Sequence, residues 1–206
     1  MLNHRCLLLI PFLLISLTLG MAPSWAGEPT QQVKQTTDKI LAILSNPSLK
    51  GPAQAEERRK VIGQTVDERF DWEEMSRRSL ARHWAARTPE EKKEFMGLFR
   101  DLLERTYLNK VDDYSGEAVT YEGDTIDGNY ASVKVKIVTS KGKEIPVEYR
   151  VMKKQTHWLV YDITIEGVSF VNNYRSQFNS ILSKSPYSEL VKRLKDKTSF
   201  PEKKSP

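Results

Sequence analysis

The sequence predicts an α+β domain in which helices pack against an antiparallel sheet. Three observations carry this. The hydrophobic period is helical over the first half, becomes two after Val119, and is helical again beyond Gly167. No internal repeat or low-complexity linker divides the chain.

Residues 1–26 read as a secretory signal peptide: Arg5, an apolar run from Leu7 to Leu19, then Ser24-Trp25-Ala26 as a small-x-small cleavage site. The run falls short of the roughly 20 apolar residues that span a bilayer, and no later segment reaches that length. A secreted, soluble mature chain starting at Gly27 is therefore expected, with residues 27–200 as one domain and 201–206 as a polar tail. Cys6 is the only cysteine and precedes the apolar run. The mature chain then has no thiol, and a buried core must supply its stability. Net charge is +5, and removal of Arg5 leaves +4 because no acidic residue precedes Gly27. Basic and acidic residues alternate over most of the chain, which argues against a nucleic-acid groove. Only residues 192–204 are distinctly basic.

Val33, Ile40, Leu41 and Leu44 define the apolar face of a first helix, which Asn46-Pro47 and Gly51-Pro52 end. A second is expected from about Ala53, turning Val61, Ile62 and Val66 to the core. Asp71 with Glu74 three residues on reads as a capping box for a short helix holding Trp72, Met75 and Leu80. Thr88, Pro89 and Glu91 repeat the signal ahead of Phe95, Leu98, Phe99 and Leu102. Leu103 and Tyr107 widen that face beyond a surface stripe, so this helix should be covered on more than one side, up to its end before Ser115-Gly116.

Val133, Val135 and Ile137 alternate with Lys134 and Lys136, as a strand with one dry face requires. After a turn at Lys141-Gly142, Ile145, Val147, Tyr149 and Val151 oppose Glu148 and Arg150 in an antiparallel partner. In the last strand, strict alternation sets Trp158 and Val160 against Leu159, Tyr161, Ile163 and Ile165, a two-sided apolar pattern that predicts a central position. Ser169 then caps a helix with Val171, Tyr174, Phe178, Ile181 and Leu182. Ser185-Pro186 opens the final one, striped by Tyr187, Leu190, Val191 and Leu194.

Catalytic chemistry is hard to place. The mature chain offers His83 and His157, neither at the i, i+4 spacing of a zinc helix, and no G-x-S-x-G elbow, Walker loop or dinucleotide fingerprint. One rival stands: Asp162, an acid on an apolar strand, as the general base of a small-molecule isomerase or hydrolase, with Tyr161 or Tyr149 polarising a carbonyl. The stronger reading makes Asp162 a hydrogen-bond acceptor that holds the end of the sheet. Glu166, next to Gly167, reads as fixing a turn.

Trp158-Leu159-Val160-Tyr161-Asp162, Glu166-Gly167-Val168-Ser169 and Asn173-Tyr174-Arg175-Ser176-Gln177-Phe178 together resemble the signature of the MlaC family, also called the toluene-tolerance Ttg2 family. Phe70-Asp71-Trp72-Glu73-Glu74-Met75, Leu80, Trp84, Thr88-Pro89-Glu90 and Phe95 to Tyr107 resemble its helical half, so the likeness spans nearly all of the mature chain. Ala81 departs from it, since many relatives are expected to carry glycine there.

The resemblance implies an NTF2-like, strongly curved antiparallel sheet with added helices enclosing an apolar cavity. It implies a periplasmic, non-enzymatic phospholipid carrier moving lipid between an outer-membrane lipoprotein–porin complex and an inner-membrane ABC transporter with an MCE-domain subunit. No cofactor or metal is implied. Inward faces that should meet supply the candidate lining: Leu98, Leu102 and Tyr107 on the long helix; Val133, Val135, Val147, Tyr149 and Val151 on strands; and Ile163, Val168, Phe170, Tyr174 and Phe178 near the signature. Arg175 is a candidate for the headgroup phosphate, weighed against a surface ion pair. No long heptad or edge-pairing segment is visible, which favours a monomer.

Overall fold

The computed structural model describes residues 27–111 and 116–196. The expected signal peptide, Ser115 and the tail 201–206 lie outside them. Helix α1 (Glu28–Ser45) is followed by two short 3-10 turns, Pro47–Leu49 and Pro52–Gln54, and then by α2 (Ala55–Asp67). In α3 (Trp72–Leu80), Asp71 caps the start by accepting from the Glu74 N–H at 3.1 Å. Only half of the expected box closes there. The Glu74 carboxylate turns to Arg77 at 2.6 Å and Arg78 at 2.7 Å, while the Asp71 N–H donates to the Val160 carbonyl. The box at α4 (Pro89–Val111) closes both ways: Glu91 N–H donates to Thr88 Oγ1 at 3.2 Å, and Thr88 N–H to Glu91 Oε2 at 3.0 Å.

Strands β1 (Ala118–Asp127), β2 (Tyr130–Val138), β3 (Glu144–Lys154), β4 (His157–Ile165) and the short β5 (Val168–Ser169) form an antiparallel meander in chain order. Glu166 and Gly167, with φ of 47° and 82°, make the two-residue turn into β5. Helix α5 (Phe170–Leu182) starts on Ser169, whose hydroxyl accepts from Asn172 N–H at 3.1 Å, and α6 (Tyr187–Lys195) closes the fold.

Strict alternation fails in β4. Arg150 pairs with Asp162 but Val151 with Val160, so Tyr161 is an extra, bulged residue. The bulge resets the phase and puts Trp158 and Val160 on the same face as Ile163 and Ile165, contrary to the expected split. A second irregularity falls at Glu122 in β1, between Tyr121 and Gly123. Bulges sharpen twist and bend a strand, and here they accompany a sheet that is curled yet open.

Strand β4 is second from the edge rather than central, but both its edges are occupied. Strand β3 pairs along it, β5 covers Thr164 and Ile165, and the segment before α3 covers Val160, whose N–H donates to the Arg69 carbonyl at 2.8 Å. The core lies where α4 meets α5. Phe95, Phe99, Tyr174 and Phe178 form one aromatic cluster with ring centroids 5.4 to 5.7 Å apart, flanked by Met75, Leu80, Leu190 and Leu194, all fully buried.

Helix α1 departs from expectation. Of its predicted face Val33 is buried, whereas Ile40, Leu41 and Leu44 stay half-exposed. In α2, Ile62 is buried with Gly63 and Thr65, and Val61 and Val66 are half-exposed.

Candidate functional site

Strand register arranges the inner face of the sheet in rows that cross it. Ile126, Ala131, Val151 and Val160 form the first; Asp124, Val133, Tyr149 and Ile163 the second; Tyr121, Val135, Val147 and Ile165 the third; Val119, Ile137 and Ile145 the last. Burial declines along this series on β2 to β4, whereas Ile126 on the β1 edge is 52% exposed. Ala131, Val151 and Val160 of the first row are buried, Tyr149 in the second and Tyr121 and Ile165 in the third are half-exposed, and all of the last row is half-exposed. Apart from Asp124, whose carboxylate is taken up by Thr30 of α1, the side chains of these rows are aliphatic or tyrosine.

Helix α1 shows the same gradient for a stated reason. Its first turn is bound to the closed end: Thr30 N–H and Oγ1 both donate to Asp124 Oδ2, at 2.9 and 2.6 Å. Gln32 Oε1 accepts from Trp158 N–H at 2.9 Å and Arg69 Nη1 at 2.7 Å. Gly27, just ahead, could carry no side chain in place, since a Cβ would collide with the Asp124 carboxylate. One turn on, the Lys34 ammonium lies 5.6 Å from the Tyr121 ring in the third row. Further along the helix Ile40, Leu41, Ile43 and Leu44 are half-exposed.

Helix α4 carries half-exposed Leu98 and Tyr107, with Tyr107 stacked on Phe170 at 4.0 Å. Half-exposed apolar side chains therefore occur on the inner face of the sheet, on α1 and on α4. Tyr149 lies on the inner face between Val133 and Ile163. Burial pushes this phenol up to about 12, with the neighbouring Tyr121 phenol adding to the effect, although the side chain keeps some exposed surface. Desolvation likewise raises Tyr121, against a lowering hydrogen bond from Thr37 of α1. Both phenols stay neutral at physiological pH.

The candidate residues divide into two groups. Val133, Val135, Val147, Tyr149 and Ile163 share adjacent rows of the inner face, with Val151 one row deeper. Leu102, Tyr174 and Phe178 are buried, the last two within the aromatic cluster; Val168 is half-exposed at the β4–β5 turn. Arg175 lies on the exposed side of α5 and donates to Asn172. The alternation of β2 and β3 continues to Ile137 and Ile145, so that signal could have placed both at the site. Ile43 carried no comparable signal.

Asp162 is 3% exposed on the other side of β4. It accepts from Ser169 Oγ at 2.6 Å and from Val171 N–H at 3.0 Å, with Arg150 Nη1 at 3.8 Å. This is the acceptor role that the stronger sequence reading gives it. Among the described residues no group of three or more His, Cys, Asp or Glu side chains is arranged to hold a metal, and no helix is long and apolar enough to cross a membrane.

A curled, open antiparallel meander with helices before and after it in the chain defines the α+β class. The chain belongs to the MlaC family: the family model, described as MlaC protein, matches residues 34–196. The intermembrane phospholipid transport system binding protein MlaC of Haemophilus influenzae is 21% identical over 178 residues, 84% of this chain and 83% of that one. The toluene tolerance protein ttg2D of Pseudomonas putida is 26% identical over 99 residues, 48% of this chain and 46% of its own. A solved phospholipid-binding protein from Ralstonia solanacearum, in complex with a phospholipid, superposes with a TM-score of 0.73 at 27% identity, covering 82% of this chain and 96% of that one.

Proposed function

We propose that this protein is a periplasmic phospholipid carrier that houses acyl tails in the recess between the inner sheet face, α1 and α4. The observation that carries this is the run of half-exposed apolar side chains on the inner sheet face, on α1 and on α4. A surface of that kind costs free energy in water and is relieved by an apolar ligand. Two acyl tails carry roughly 30 methylenes at about 0.8 kcal/mol each, so their exposure would cost on the order of 24 kcal/mol and uncarried transfer through water is negligible. Loading from a bilayer is near balance, because the tails leave one dry medium for another.

Direction then falls to partners. We assign these as an outer-membrane lipoprotein–porin complex and an inner-membrane ABC transporter with an MCE-domain subunit, between which the carrier shuttles without altering its cargo. Asp162 has both carboxylate oxygens engaged with the start of α5, which favours a structural role over that of a general base.

The test is organic extraction and mass spectrometry of protein exported with its own leader and purified from the periplasm without detergent. Near-stoichiometric phospholipid is expected. A folded, lipid-free protein overturns the reading.

A further inference from the structure

We propose that the outward face of α3, its following turn and α5 is a docking surface for a carboxylate-rich protein partner, separate from the recess. The carrier reading needs protein partners, and this inference deepens that reading by giving one of them a place and a chemistry.

No acidic residue occurs from Met75 to Pro89 or from Gly167 to Ser188, two segments that hold Arg77, Arg78, Arg82, Arg87, Arg175 and Lys184. Helices α3 and α5 pack together, so the two acid-free stretches share one side of the fold. Cations elsewhere mostly meet carboxylates: Lys34 with Asp38, Lys39 with Glu68, Lys143 with Glu166, Lys195 with Glu94. On this face Arg77 and Arg78 pair with Glu74 and Arg87 with Glu91, whereas amides take the place of the carboxylate at Arg82 and Arg175. Asn179 Oδ1 accepts from Arg82 Nη2 at 2.9 Å and lies 3.2 Å from His83 Nε2, itself 3.4 Å from Arg82 Nε. Arg175 donates to Asn172, on the same stripe of α5 as Asn179. Among the described residues neither Arg82 nor Arg175 has a carboxylate partner.

Neutral acceptors orient these guanidinium groups and leave their charge uncompensated, the arrangement in which an incoming carboxylate gains most. At the far end Arg78 lies 4.1 Å from the Tyr161 ring and 6.0 Å from that of Tyr130, which is 44% exposed. Arginine and tyrosine together are what dominate protein interfaces. A bilayer is the poorer fit. Ile126 and Tyr130 are the only exposed large apolar side chains among the described residues, so the face carries no apolar wedge.

The experiment measures binding of a short fluorescent poly-L-glutamate at low salt to the mature protein and its variants. Arg82→Glu and Arg82→Gln are compared with Lys141→Glu, which reverses an equally exposed cation on the β2–β3 turn. Arg82→Glu should weaken binding about tenfold and Arg82→Gln by less, with Lys141→Glu within about twofold of the parent. Equal losses from Arg82→Glu and Lys141→Glu, or none from Arg82→Glu, would overturn the proposal. So would Arg82-dependent binding to phosphatidylglycerol vesicles that exceeds binding to poly-glutamate. Phospholipid content and thermal unfolding are read on the same samples. A lipid-free parent protein sinks the carrier reading and leaves the poly-glutamate comparison to be judged by itself.

Discussion

The Asp162 carboxylate and the Ser169 hydroxyl meet at 2.6 Å across the β4–β5 turn, while the other carboxylate oxygen takes the Val171 N–H at the start of α5. Sheet and helix are joined through one buried acid. Asp162→Asn should lower stability by about 1 to 3 kcal/mol, because an amide cannot accept at both positions. Chemical denaturation gives the loss, and phospholipid extraction should show bound lipid unchanged. A variant as stable as the parent would refute the structural role.

Leu44 belongs to the proposed lining and Val133 to the core. Leu44→Glu should abolish retention of phospholipid and shift stability by less than about 0.5 kcal/mol, since its side chain is already half-exposed. Val133→Ala, at a fully buried position, should cost about 2 kcal/mol and keep lipid. Lipid content and denaturant midpoints decide between them. Lipid retained by Leu44→Glu would remove α1 from the lining.

Ala81 sits at φ 47° and ψ −121°, a conformation open to glycine and strained for any residue with a Cβ. Ala81→Gly should therefore raise stability by about 1 kcal/mol, the relief of strain exceeding the added freedom of the unfolded chain. A fall in the denaturation midpoint would contradict the strain.

Glu74 is held below the usual carboxylate range, first by its hydrogen bond to Arg77 and then by Arg78, against an opposing push from burial. A carboxylate lowered in the folded state contributes stability above its unfolded value of about 4.3, and that contribution fades as pH falls through the folded value. Glu74→Gln should thus be less stable than the parent at neutral pH, with the gap closing below about pH 4. Denaturation series at neutral and acidic pH would show it, and a gap constant with pH would exclude the linkage.

Local chemistry made much of the fold legible. Asp71, Thr88 and Ser169 each act at the helix start that the sequence assigns them, because a cap needs only its neighbours three residues on. The phase of β4 was not legible. One bulged residue, Tyr161, has no composition of its own, yet it moves Trp158 and Val160 to the other face.

The inner face of the sheet was legible, and the packing of α1 was not. Alternation marked Val133, Val135, Val147 and Tyr149 as one face, and pairing brings them side by side. Helical period likewise marked Ile40, Leu41 and Leu44, but the same stripe fits a helix pressed on solid protein and one facing a hollow. The choice depends on distant elements, and it left Val33 buried and the later positions half-exposed.

Cleavage of the expected leader after Ala26 would tie the start of the fold at Gly27 to its own maturation. Position 27 is pressed against Asp124, whose carboxylate also fastens Thr30, so the start of α1 has no room for a bulkier residue unless that fastening moves. With leader cleavage after Ala26, the new amino terminus would arise at this spot, beside an anion and without a spare residue between cut and helix. The tolerance of the processing step would then be set by the folded protein: a scissile position displaced by even one residue would trim or extend the end by which α1 is moored.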